Sequence, residues 1–98
     1  MTAMNVVRFR TKPGREADFL AAQRDIDADW PGFVGARLIR TGDRSFCLVD
    51  DGESMDLRAA ARPAMIATLD GLRDMLEDLG GGLGVTDPVS GEVVFAAP

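Results

Sequence analysis

The chain has 98 residues, 46% of them hydrophobic and 28% charged, which fits one globular domain over residues 1–98 with a single small core. Its 16 acidic and 11 basic residues give a formal net charge of −5, which repels phosphate backbones and anionic bilayers and argues against nucleic-acid or membrane partners. No apolar run approaches the ~20 residues of a membrane helix, and no basic segment leads into an apolar run at the N-terminus as a secretory signal would. A single Cys excludes an internal disulfide and fits a reducing cytoplasm.

Residues 3–10 read as a strand, with Asn5, Val7 and Phe9 on one face and Val6, Arg8 and Arg10 on the other. Lys12-Pro13-Gly14 turns the chain into an amphipathic helix over about residues 14–29. Phe19, Ala22, Ile26 and Trp30 form its apolar stripe, and Pro31-Gly32 ends it. Residues 33–41 and 44–50 read as a hairpin around Gly42-Asp43, a pair that tolerates positive φ. Val34, Ala36 and Leu38 share one face of its first strand, and Phe46 and Leu48 one face of the second. The opposite faces, Gly35, Arg37, Ile39 and Ser45, Cys47, Val49, are mixed rather than polar, so both faces of the sheet are expected to be covered.

Ser54 is placed to cap a short helix over 55–61, which Pro63 is expected to interrupt. A longer helix over about 63–79 follows, buried through Ile66, Leu69, Leu72, Leu76 and Leu79 and stopped by Gly80-Gly81-Gly82. Residues 80–91 read as a long loop and 92–96 as the last strand, with Val93 and Phe95 on one face. The sum is an α+β domain of ferredoxin-like βαββαβ order, with a four-stranded antiparallel sheet and helices on one face.

The element order, Lys12-Pro13-Gly14 before the first helix and Pro31-Gly32-Phe33 before the second strand resemble the antibiotic biosynthesis monooxygenase-like family of the dimeric α+β barrel superfamily. The resemblance is carried by residues 4–50, and over 51–98 by element order alone. It implies a homodimer with sheets packed face to face, Arg8, Arg37, Ile39, Cys47 and Val49 lying toward the partner. It also implies a pocket within each subunit between sheet and helices. Family members include cofactor-independent oxygenases of polyphenols or quinols, haem-degrading enzymes and proteins of no known activity. The chain has no His, the residue that haem-degrading members use on iron, so no haem or other cofactor is expected. The segment after the third strand lacks the Trp common in the family, and the second helical region has no aromatic residue.

Within that frame the candidate catalytic residues are Asn5 and Asp50. Asn5 is the only Asn, and a buried amide on the helix face needs partners. Asp50 follows Phe46 and Leu48 on the same face and is expected at a pocket mouth, where a carboxylate serves as general base; the alternative is a turn cap before Asp51-Gly52. Trp30, Phe46 and Met65 are candidates for the pocket wall, with core packing as the alternative for Trp30 and Met65. Cys47 lies between apolar neighbours with no His to activate it and reads as an inert thiol. Gly80-Gly81-Gly82-Leu83-Gly84 follows a helix and leads toward a strand, the reverse of a phosphate-binding loop. The Asp and Glu residues lack metal-ligand spacing, so no metal site is expected. Two classes of function stay open: a cofactor-independent monooxygenase-like enzyme for a small aromatic or quinol-type molecule, and a non-catalytic homodimeric module that binds a small molecule or a protein.

Overall fold

The computed structural model describes residues 2–26 and 30–97. Strand β1 (Ala3–Arg10) leads into helix α1 (Glu16–Arg24), the hairpin of β2 (Phe33–Gly42) and β3 (Ser45–Gly52), helix α2 (Met55–Asp70), a short 3₁₀ turn (Arg73–Met75) and β4 (Asp87–Glu92). The four strands form one antiparallel sheet in the order β2-β3-β1-β4. This is the ferredoxin-like βαββαβ arrangement expected from the sequence.

Period-two patterning fixes which way β1 faces. Ala3, Asn5, Val7 and Phe9 are all at most 8% exposed and look toward the helices, while Arg8 is exposed on the other side. In register, Asn5 stands opposite Asp50, Val7 opposite Leu48 and Phe9 opposite Phe46. Phe19 of α1 is fully buried over this row, its ring centroid 5.7 Å from Phe9 and 5.4 Å from Phe46. Leu72, Met75 and Leu76 close the same core. Such tilted aromatic contacts add to the area term of burial.

Several boundaries differ from expectation, each for a local reason. Helix α1 ends at Arg24, where Asp25 caps it. Asp25 and Ile26 follow outside the helix, and the last three residues of the expected span, 27–29, lie outside the described residues. The hairpin turn is Asp43-Arg44, one residue later than expected, and Arg44 takes φ 55° without being glycine. Its guanidinium donates to the Thr11 carbonyl at 2.7 Å and pairs with Glu77 at 3.2 Å, contacts that offset the left-handed backbone.

Pro63 does not break α2. The helix runs through it from Met55 to Asp70, because Pro63 and Ala59, whose carbonyl loses its donor, both face solvent. The helix stops at Gly71 rather than at the Gly80 run. Leu72 and Leu76, expected on helix, are buried instead by the 3₁₀ turn and by an isolated bridge between Leu76 and Thr11. The Gly80-Gly81-Gly82 run is a loop in which three successive residues take positive φ.

The last strand also sits earlier than expected. Residues 87–91, expected in a loop, and Glu92, expected to open the strand, pair with the free edge of β1. As an edge strand β4 tolerates a proline. Val94 and Phe95, which have the stronger strand propensity, lie beyond the pairing and are 86% and 83% exposed.

Gly32 locks the start of β2 beneath α2. It takes φ 72°, its carbonyl accepts from Glu53 N–H at 2.8 Å, and an added Cβ would stand 2.6 Å from the Leu57 Cβ. Gly32→Ala therefore combines a left-handed backbone with overpacking and is expected to cost about 2–4 kcal/mol. Ser54→Ala removes the N-cap acceptor of the Leu57 N–H, a 3.1 Å bond, and is expected to cost about 1 kcal/mol. Urea unfolding of both variants checks the order; a Gly32→Ala variant as stable as wild type would contradict this packing.

Candidate functional site

The helix-facing side of the sheet carries two buried polar residues opposite one another, Asn5 on β1 and Asp50 on β3. They are 7% and 3% exposed, so each needs internal partners. Asn5 Nδ2 donates to Asp50 Oδ2 at 3.3 Å. Asp50 Oδ1 takes Arg58 Nη2 from helix α2 at 2.7 Å, and the same nitrogen donates to the Ala3 carbonyl at 3.3 Å. The Arg58 side chain is only 11% exposed, which makes this a buried ion pair spanning sheet and helix. Gly52 makes room for it: a Cβ there would lie 3.1 Å from Arg58 Nη2. Arg58 Nε is buried without a hydrogen-bond partner among the described residues.

Beside this pair a cavity of about 490 Å³ opens between sheet and α2. Three residues expected at the site, Asn5, Trp30 and Met65, lie on its wall. Phe46 does not. It packs against Phe19 in the core, and Phe9 lines the cavity in its place. Asp50 stands apart from the large cavity. It faces a separate crevice of about 10 Å³ that shares Trp30, Arg58 and Met65 with it. Instead of an open carboxylate at a mouth, Asp50 is a buried group with each oxygen engaged by a donor.

Arg58 escaped the sequence reading, although the signal was present. Met55, Arg58, Arg62, Met65 and Leu69 recur at three- and four-residue spacing, and all five line the cavity. The division of α2 at Pro63 hid the continuity of that stripe. Cys47 is buried on the opposite face of the sheet, opposite Arg8 and Ile39 in register, and is not among the cavity-lining residues.

The architecture is a ferredoxin-like sheet with its helices on one face, and solved structures share this fold over at least 99% of the chain. A cofactor-independent oxygenase from Streptomyces nogalater, SnoaB, superposes with a TM-score of 0.74 at 22% identity, covering 99% of this chain and 97% of that one. A protein from Nitrosomonas europaea described as an antibiotic biosynthesis monooxygenase gives 0.75 at 13% identity, covering 99% and 94%. One of the same description from Chloroflexus aurantiacus gives 0.73 at 11%, covering 100% and 98%. The resemblance read from the sequence thus holds at the level of fold. No family model and no curated protein sequence matches the chain.

Removing one member of the buried pair strands the other. Asp50→Asn is expected to cost about 3–5 kcal/mol, and Asp50→Asn with Arg58→Gln to cost less than Asp50→Asn alone. A double-mutant cycle in urea checks this. Purely additive losses would mean that the two side chains do not depend on each other.

Proposed function

We propose that this protein is a cofactor-independent monooxygenase-like enzyme that holds a small aromatic or quinol-type molecule between its sheet and α2. The observation that carries the reading is the cavity of about 490 Å³ with the Asn5 amide on its wall among apolar side chains and the Trp30 ring. An ionised phenol or quinol is electron-rich enough to reduce O₂ itself. The substrate supplies the electrons, one oxygen atom enters the ring and the other leaves as water. The protein's part is to keep the anion dry and to aim donors at its oxygen. On this reading Asn5 orients the substrate, Trp30 and Met65 flank it, and Asp50 acts through Asn5 and Arg58 by fixing where their donors point.

Oxygen uptake with a panel of hydroquinones tests the proposal. Wild type is expected to exceed the buffer rate, and Asn5→Ala to lose about 100-fold of the excess. A wild-type rate equal to buffer across the panel would count against the enzyme reading.

A second reading, a non-catalytic binding module, is favoured by one feature: among the described residues no carboxylate, Cys, His or Tyr lies on the cavity wall to serve as base. Ligand binding without oxygen uptake would select it.

Both readings include a homodimer. The sheet face away from the helices carries Val6, Val49 and Val89 in one register row, with Arg37 at its end, and Ile39 and Cys47 in the next, beside the Arg8–Asp87 ion pair; Ile39 is 48% and Val89 68% exposed. Exposed apolar residues bordered by paired charges on a single chain suit burial against a second copy. Wild type is expected to sediment as a dimer at micromolar concentration and Ile39→Asp as a monomer. A monomeric wild type would contradict the paired sheets.

A further inference from the structure

We infer that the cavity selects a ligand bearing a negative charge, an aromatic carboxylate or an already ionised phenol, and that Arg58 and Arg62 recognise that charge. This rests on the cavity being the ligand site. The protein as a whole is acidic, with a net charge of −5, yet the charged side chains on the cavity wall among the described residues are both arginines, one helical turn apart on α2. Asp50, the carboxylate paired with Arg58, offsets that charge and leaves Arg62 without an ion-pair partner among the described residues. The remaining unit of positive charge matches a monoanion.

The hydrogen-bond inventory points the same way. Arg58 is fixed on one side by Asp50 and the Ala3 carbonyl, so its guanidinium cannot turn away from the cavity without breaking a 2.7 Å ion-pair contact. Its Nε–H is buried and makes no hydrogen bond among the described residues, so this side chain keeps a charge-assisted donor without an internal acceptor. Arg62 is exposed and forms no ion pair among the described residues, so it is placed to meet the anion at the rim. Asn5 adds a neutral amide, and Trp30, Met65 and Leu69 supply the apolar surface for a ring. A ligand that enters as an anion also needs no base on the wall.

The test compares naphthoate with its uncharged carboxamide, which has nearly the same shape, by calorimetric titration of the protein. Naphthoate is expected to bind at least about tenfold tighter at low ionic strength, with the preference shrinking as salt is raised. Arg62→Gln, at an exposed position where folding is not at risk, should reduce the preference several-fold by removing the uncompensated charge. Arg58→Lys keeps the charge but lacks the Nε–H, and should weaken naphthoate more than the carboxamide. Equal affinity for the two probes, no binding of naphthoate, or a preference untouched in both variants would overturn the inference. Oxygen uptake on the same samples separates it from the enzyme reading. Charge preference without turnover keeps the anion site and removes the oxygenase, whereas turnover of uncharged quinols without charge preference does the reverse.

Discussion

The buried pair between Asp50 and Arg58 fixes where helix α2 stands over the sheet. It joins the helix-facing side of β3 to the first turns of α2 at 2.7 Å. Gly52 and Gly32 leave the space for that approach, since side chains there would meet Arg58 and Leu57. Two charges removed from water make a poor source of net stability, but they make misplacement of the helix costly, because either charge alone would be buried without a partner. The cavity, the orientation of Asn5 and the direction of the Arg58 guanidinium all depend on that placement.

The cavity persists because α2 has little with which to fill it. Between Met55 and Asp70 the helix carries five alanines, and Ala61 is its one buried residue among those described. The dense aromatic packing of Phe9, Phe19 and Phe46 lies under α1 and the 3₁₀ turn instead. One half of the helix-facing layer is therefore a closed core and the other half is open to a ligand. The same contrast explains why Phe46 serves the core rather than the cavity wall.

Much of the fold was legible because alternation and turn residues act locally. The faces of β1 and β3, the hairpin and the cap at Ser54 follow from residue order alone. What was hidden depends on tertiary context. The path of α2 through Pro63 turned on which side of the helix meets solvent. The position of β4 turned on pairing with β1, which outweighed the strand propensity of Val93-Val94-Phe95. At the site, Asn5, Trp30 and Met65 were readable as polar or bulky residues on the helix-facing side. Arg58 was missed because dividing α2 at Pro63 broke the stripe that carries it, and its pairing with Asp50, on another element, shows only in the folded chain.

A crystal structure of the protein grown with naphthoate would test the central claim, that the space between sheet and α2 is a ligand site. The prediction is density for the ring beside Trp30 and Met65, with its carboxylate against Arg58 and within reach of Asn5. A cavity closed by inward movement of Met65, Ile66 and Leu69, with the ligand absent or bound elsewhere, would contradict it.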